Sequence, residues 1–438
     1  MSHVKLIPSQ LRYPHLMNLN IVSPEGIFEA SVDLPLSKSM SARALIINKI
    51  GGFNLEPKVS ECDDINDLNL AIRQTNGKVN VGQSGAALRF LLAYYAATPG
   101  SDVLLDGWGS ISRRPISLLV DALRNLGADI EYCDKEGYAP VHVKGCRLAG
   151  GELTLDATVS SQFVSALMMI APLMNNPLVI RFDGEPSSLS YIKMTARMMT
   201  DCGVEPEFTY NGLLVPNTPY TCGVEKVERD WSAASYWYAM AALSAGWVTL
   251  NDISRHSIQG DSAIMGIAEK LGVLTDESED VEGALELSAS PEVFSRLDLD
   301  MSSTPDLVPT LAVLSAALGI PFRFTGVHTL RHKESDRLEA LCDEALKIGL
   351  VFEIERGDVL SWEGKRVPIH EIPTISTHGD HRIAMAFAPV AILIPAINIE
   401  NAEVVSKSYP DFWVDMEQAG FIITRTDGEP HDTADTND

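Results

Sequence analysis

The chain reads as an α/β protein made of about six copies of one mixed unit, gathered into two lobes. Three observations predict this. An amphipathic helical stretch repeatedly runs into a glycine followed by a short β-type run, as in Leu123-Arg124-Asn125-Leu126-Gly127-Ala128-Asp129-Ile130, Glu269-Lys270-Leu271-Gly272-Val273-Leu274 and Leu346-Lys347-Ile348-Gly349-Leu350-Val351-Phe352. Weaker copies sit at Gly77, Gly203 and Gly420, and successive glycines of the six stand 50, 76, 69, 77 and 71 residues apart. The helical stretches from Ser161 to Met174 and from Ala233 to Leu243 are apolar nearly all round, which places them inside a domain.

Each of those glycines suits the left-handed residue that ends a helix before a strand. The spacing is longer than a solenoid repeat. It is too large for one βα hairpin and too small for a domain, so several copies must share a core.

Length and composition agree. The 438 residues allow two or three domains with real cores. With 45% hydrophobic and 21% charged residues the balance is that of a soluble globular protein. No run approaches the roughly 18 apolar residues of a membrane span. Met1-Ser2-His3-Val4-Lys5-Leu6-Ile7-Pro8 lacks the apolar centre of a signal peptide. The six cysteines are scattered without a C-x-x-C pair, which predicts neither a disulfide framework nor a zinc site. A cytoplasmic protein is expected. Residues 427–438 are acidic and lack large apolar side chains, so a disordered tail is expected there.

The formal net charge is −25, yet bases cluster inside Gly/Ser-rich punctuation. The clusters are Ser37-Lys38-Ser39-Met40-Ser41-Ala42-Arg43, Arg89, Arg113-Arg114, Arg331-His332-Lys333-Glu334-Ser335-Asp336-Arg337, Gly379-Asp380-His381-Arg382 and Lys407. A polyanionic partner such as nucleic acid would favour a basic stripe or domain. Scattered bases in an acidic chain point instead to a small anion.

Taken in order, the Ser37–Arg43 segment reads as a strand end, a Ser-rich turn and a helix start, with Ser37, Ser39 or Ser41 as cap. Val81-Gly82-Gln83-Ser84-Gly85-Ala86-Ala87-Leu88-Arg89-Phe90 repeats the design, its glycines permitting close backbone approach. Its spacing is neither that of a Walker loop nor that of a dinucleotide fingerprint. Ser160-Ser161-Gln162-Phe163 opens a helix with hydroxyls and an amide suited to a polyhydroxylated ligand, and Ser188 and Tyr191 sit similarly before the helix Ile192 to Met199. Asp306 follows Pro305 at the mouth of an apolar helix, where it would also complement the helix dipole. The Arg331–Arg337 run is expected within a turn or two of helix. His378-Gly379-Asp380-His381 lacks third and fourth ligands at sensible spacing, so no metal is expected. No G-x-S-x-G elbow or spaced Cys/His pair suggests covalent catalysis.

In this order the motifs resemble those of the 5-enolpyruvylshikimate-3-phosphate synthase family of enolpyruvyl transferases. The likeness runs from about Leu34 to Gly420. It rests on S-K-S-x-S-x-R, G-x-x-x-R, R-P-I, S-S-Q-F, S-x-x-Y-I, P-D, K-E-S-D-R, D-H-R-x-A-M and K-x-Y-P-D-F. The resemblance implies two lobes of three βαβαββ units each, with crossings near residues 35 and 228. One lobe would hold residues 1–35 and 229–426, the other 36–228. It implies transfer of the enolpyruvyl group of phosphoenolpyruvate to the 5-hydroxyl of shikimate 3-phosphate, with release of phosphate and without a cofactor, by a monomer. Lys38, Ser39, Arg43, Ser160, Ser161, Gln162, Ser188, Tyr191, Asp306 and Lys333 would hold shikimate 3-phosphate. Lys38, Gly85, Arg114, Gln162, Arg337, Arg382 and Lys407 would hold phosphoenolpyruvate. Asp306 would be the general base, and Glu334 or Lys38 would protonate the methylene carbon.

Leu36, Ala42, Ala86, Phe90, Thr329 and Gly379 depart from the family's usual Gly, Asn, Thr, Pro, Asn and Asn, and none of them removes an assigned charge. The sister transferase acting on UDP-N-acetylglucosamine typically carries K-N in place of S-K-S and a loop cysteine; no cysteine lies around Arg113-Arg114. A lapsed, non-catalytic relative would not be expected to keep Lys38, Asp306 and Glu334 together.

Overall fold

The computed structural model describes residues 17–426. The N-terminal segment read for a signal peptide and the acidic tail 427–438 lie outside the described residues. Two separate hydrophobic cores form. One gathers buried side chains from Leu19 to Leu34 and from Trp231 to Phe421, the other those from Leu36 to Val227.

The repeating unit is plain between residues 76 and 144. Strand Asn76–Asn80, helix Gly85–Ala96, strand Asp102–Asp106, helix Ser117–Asn125 and strands Asp129–Tyr132 and Val141–Lys144 follow in order. The first two strands pair parallel and the remaining pairings are antiparallel. The order recurs over 151–215 and 297–362.

Two more sheets are completed by the N-terminal part of the chain. Glu29–Val32 pairs parallel with Trp247–Leu250, and Leu19–Val22 lies between Ile397–Glu400 and Ile422–Arg425. That makes five four-stranded sheets among the described residues. The sixth copy keeps its two helices, Lys38–Gly51 and Asp63–Ala71, but its pairing shrinks to bridges between Leu36 and Arg229 and between Lys58 and Lys226. Pro35 and Pro57 directly precede the bridged Leu36 and Lys58 and cannot donate to a ladder.

All six periodic glycines have positive φ, from 79° at Gly349 to 102° at Gly127. Gly127, Gly203, Gly349 and Gly420 end helices as expected, whereas Gly77 and Gly272 lie inside the strands Asn76–Asn80 and Leu271–Glu277. At Gly127 the amide bonds to the Arg124 carbonyl (2.9 Å) and Ala128 N–H to the Leu123 carbonyl (3.0 Å), closing the helix in a Schellman turn. A Cβ there would meet nothing within 4 Å, so the demand is conformational alone.

The apolar helices lie where their composition sends them. Trp231–Ser244 and Val308–Ala317 run through the first core, and Ser161–Ile170 through the second. Pro172 turns the end of the last into a 3₁₀ segment, Ala171–Leu173, short of the expected Met174. The Arg331–Arg337 run is not one helix. A 3₁₀ turn covers His328–His332, Lys333 breaks it at ψ −148°, and a new helix begins at Arg337 capped by Asp336. No helix of the described residues is long and apolar enough to cross a membrane.

Candidate active site

Five helices begin at one cleft between the two cores. Lys38, Gly85, Ser161 and Arg337 are first residues of Lys38–Gly51, Gly85–Ala96, Ser161–Ile170 and Arg337–Lys347, and Ser188 precedes Leu189–Asp201. Helix N-termini carry partial positive charge and unsatisfied N–H groups, so their convergence favours anions. Ser37 and Asp230 cap the first helix, accepting from Met40 N–H and Lys38 N–H. Ser160 and Ser188 make no side-chain cap bond, which leaves their hydroxyls to the cleft.

Seven Lys and Arg side chains line the cleft against three carboxylates, Asp64, Asp306 and Glu334. The sequence-predicted residues Lys38, Ser39, Arg43, Gly85, Arg114, Ser160, Ser161, Gln162, Ser188, Tyr191, Asp306, Lys333, Glu334, Arg337 and Arg382 all border it. Lys407 stands behind the wall, buried, with its Nζ 3.8 Å from Glu334 Oε2.

The charges sort into two groups. On one side acids and bases are paired. Asp306 Oδ1 lies 3.0 Å from Arg337 and 3.4 Å from Lys333, and its Oδ2 is 2.9 Å from Arg382 and 3.0 Å from the Tyr191 hydroxyl. Burial opposes ionisation of Asp306, but Arg382, Lys333 and Arg337 together hold it well below the usual carboxylate range. Glu334 is likewise held low against burial by His381, Lys407 and Lys38, with His381 Nδ1 at 2.7 Å. Burial lowers Lys38, yet Asp64 at 3.0 Å and Glu334 hold it above the ordinary lysine value, so it carries its proton.

On the other side Arg43 and Arg89 stand among neutral groups, and Arg114 feels Glu334, Asp64 and Asp380 only at longer range. Arg43 donates to Thr195, Ser165 and the Ser39 and Tyr191 carbonyls, and Arg89 to Gln162 at 2.6 Å. Among the described residues neither these two nor Arg114 has a carboxylate within 4.0 Å. Burial depresses all three guanidinium groups. Arginine does not give up its proton in proteins, so this side is a preformed receptor for negative charge. Gly85 is required by close approach: a Cβ would fall 2.3 Å from Arg114 Nη1 and 3.0 Å from Arg89 Nη1.

Four contributors carried no assigned role in the sequence reading. Arg89 stood only among the basic clusters. Asp64 has no signal beyond its place in Cys62-Asp63-Asp64. Asp380, which holds Arg337 Nε at 2.7 Å, and His381 stood in a basic cluster, in the D-H-R-x-A-M motif and in a rejected metal motif, with no role given to either. Folding does bring a further ligand residue there, since Glu334, Asp380 and His381 place donor atoms within 4.8 Å of one another. Both carboxylates are already matched by Arg337, Lys407 and Lys38, and that matching does not suit a cation.

A roomier cavity of about 560 Å³ opens beside the crossover around Gly223–Arg229. Its lining balances Arg197, Lys226 and Arg229 against Asp201, Glu225, Glu228 and Asp252, so it lacks the cleft's affinity for anions.

The lobes and the cation-lined cleft define a two-domain α/β protein built to hold small anions between repeated units. Residues 54–416 match the family model described as EPSP synthase (3-phosphoshikimate 1-carboxyvinyltransferase). A 3-phosphoshikimate 1-carboxyvinyltransferase of Bacteroides fragilis is 43% identical over 406 residues, covering 92% of this chain and 98% of the relative. One from Syntrophobacter fumaroxidans is 35% identical over 423 residues, covering 91% and 98%. An EPSP synthase structure from Acinetobacter baumannii superposes with a TM-score of 0.73 at 20% identity, over 93% of this chain and 100% of that one, which shows the shared fold. The chain belongs to the EPSP synthase family.

Proposed function

We propose that the cleft holds phosphoenolpyruvate and shikimate 3-phosphate side by side and transfers the enolpyruvyl group to the 5-hydroxyl of the latter, releasing phosphate. The observation that carries the assignment is the split site. Cations without counter-ions await two anionic substrates, next to a carboxylate already ionised for proton abstraction.

Arg43 with Ser39, Ser160, Ser161, Gln162, Ser188, Tyr191 and Lys333 is assigned to shikimate 3-phosphate. Arg114, Arg337, Arg382 and Lys407, with Gly85 and Gln162, are assigned to phosphoenolpyruvate, and Arg89 joins them. Lys38 lies between the two sets. Planar guanidinium forks suit carboxylate and phosphate through paired hydrogen bonds.

Asp306 takes the proton of the attacking hydroxyl. Arg382, Lys333 and Arg337 keep Asp306 ionised against its burial, so it is free to accept a proton at neutral pH. The methylene carbon of phosphoenolpyruvate is protonated from the Lys38 and Glu334 side, and of the two only Lys38 holds a proton at neutral pH. Clustered cations then stabilise the tetrahedral intermediate and the leaving phosphate.

The cleft encloses about 110 Å³, small beside ordinary ligand pockets, so the lobes must part to admit substrates and close to exclude water. We assign residues 36–228 to one lobe and 1–35 with 229–426 to the other. The two crossings lie side by side, joined by Ser37 N–H to the Glu228 carbonyl (2.8 Å) and Asp230 N–H to the Pro35 carbonyl (2.9 Å), as a hinge requires. We expect a monomer working in the cytoplasm.

The test is phosphate release from phosphoenolpyruvate with shikimate 3-phosphate or UDP-N-acetylglucosamine as acceptor. Release with the former alone is expected. Release with the sugar nucleotide alone would assign the cleft to the sister reaction.

A further inference from the structure

We propose that Asp261 receives, through the Tyr191 hydroxyl, the proton that Asp306 takes from the acceptor hydroxyl, so that the closed cleft contains a proton relay. This rests on the enolpyruvyl-transfer reading of the cleft.

The Tyr191 hydroxyl stands between two carboxylates, 3.0 Å from Asp306 Oδ2 and 3.5 Å from Asp261 Oδ2. The second distance is at the long limit of a hydrogen bond, and a small pivot of the ring shortens it. Asp261 lies in the 3₁₀ turn Gly260–Ala263, on the opposite lobe from Tyr191 and 3% exposed. Its Oδ2 also accepts from the Ser232 hydroxyl, whereas its Oδ1 is buried with no hydrogen-bond partner among the described residues. A buried acceptor left unsatisfied is costly, and a proton on that carboxyl lessens the cost.

The two carboxylates have opposite surroundings. Three cations hold Asp306 ionised, so a proton resting there is displaced easily. No cation lies within 4.0 Å of Asp261 among the described residues. Burial first, and then the nearby Asp306, push it up to about 6; Asp230 adds to the rise, while Arg382 and Ser232 oppose it. The proton therefore moves toward the group that holds it better.

The step balances. As the acceptor oxygen bonds to carbon, its proton passes to Asp306 Oδ2. That proton moves to the Tyr191 oxygen while the tyrosine's own proton moves to Asp261 Oδ2. Tyr191 ends neutral, Asp306 ionised and Asp261 protonated. A cavity of about 10 Å³ bounded by Ser37, Ser39, Asp230 and Asp261, the size of a single water, gives the proton a way out when the lobes part.

A purely positioning role would need Asp261 only as an acceptor for Ser232 and Tyr191. Asp261→Asn keeps the size and one acceptor oxygen but cannot take a proton. With phosphoenolpyruvate and shikimate 3-phosphate, kcat of D261N is expected to fall about 10- to 100-fold, with both KM values within about threefold of wild type. Tyr191→Phe should lower kcat comparably, and the double variant should be no slower than the slower single one, because both interrupt one chain. Retained kcat in D261N, or an effect confined to KM, overturns the relay. Should D261N fail to melt cooperatively, Y191F decides, and unchanged kcat there overturns it as well. Either result leaves the enolpyruvyl-transfer reading standing. A wild type that releases no phosphate from this pair overturns both.

Discussion

Asp306 and Arg382 meet at 2.9 Å inside the cleft, and the aspartate is at the same time counter-ion to Arg337 and Lys333. One carboxylate thus holds three cations in place before any anion arrives. In Asp306→Asn the base is lost and the cations face one another. Turnover should fall by about 10²- to 10⁴-fold. Breaking a buried pair costs about 3–5 kcal/mol, so the melting midpoint of D306N should drop. Added phosphoenolpyruvate and shikimate 3-phosphate should restore it by at least the shift they give wild type, because their charge replaces the lost one. Phosphate release and thermal denaturation check both parts; normal turnover in D306N would remove Asp306 from the role of base.

Arg89 poses the reverse case, a buried cation whose hydrogen-bond partner is the neutral Gln162 and which lies over the Phe163 ring at 5.3 Å. Burying a charge without a counter-charge destabilises a fold. Arg89→Met should raise the melting midpoint of the protein alone while abolishing most of the stabilisation given by inorganic phosphate or phosphoenolpyruvate. Thermal melts with and without each anion measure this. A variant less stable than wild type but still stabilised by the anions would mean that Arg89 is structural.

Much of this architecture was legible in the chain. The periodic glycines marked all six copies, four at helix ends and two just inside the following strand, because a positive φ leaves a mark that no other residue bears cheaply. The cleft's bases were legible because they recur inside Gly/Ser turns of a chain whose net charge is −25. Partners that reach the cleft only through folding left no such trace. Asp64 meets Lys38 and Asp380 meets Arg337 across 26 and 43 residues of sequence, and no local pattern encodes that pairing. The Lys333-Glu334 break was missed for a different reason: alternating charges look like a solvated helix whether or not a capping Asp336 restarts it.

Gly85 shows how backbone shape governs the charges. The nearest atoms to a Cβ there are the tips of Arg114 and Arg89, which can swing aside, so Gly85→Ala should fold with stability within about 1 kcal/mol of wild type. The displaced guanidinium groups would then sit about an ångström from their proper places, a shift able to cost up to about 10²-fold. KM for phosphoenolpyruvate should rise at least about tenfold while KM for shikimate 3-phosphate changes little. Equal rises in both would show that the loop shapes the whole cleft.

Asp261 also makes a prediction about stability that does not depend on turnover. Its folded-state affinity for a proton is raised from an ordinary 3.8 to about 6, opposite in sense to Asp306 and Glu334. Below about pH 4 it is protonated both folded and unfolded, and its contribution is fully present. As pH rises toward 6 the unfolded chain ionises freely while the folded one resists, so stability is lost; above that the loss levels off. The depressed carboxylates do the reverse, their contribution disappearing as pH falls below about 4. Asp261→Asn cannot titrate, so its stability relative to wild type should climb by about 1–3 kcal/mol between about pH 4 and pH 7. Asp230, Asp306, Tyr191 and Arg382, the charged and titratable groups facing it, are present in both proteins. Denaturant melts of the two proteins at several pH values give the difference directly. A flat difference across that range would show that Asp261 ionises like an exposed aspartate, leaving the relay without its driving force.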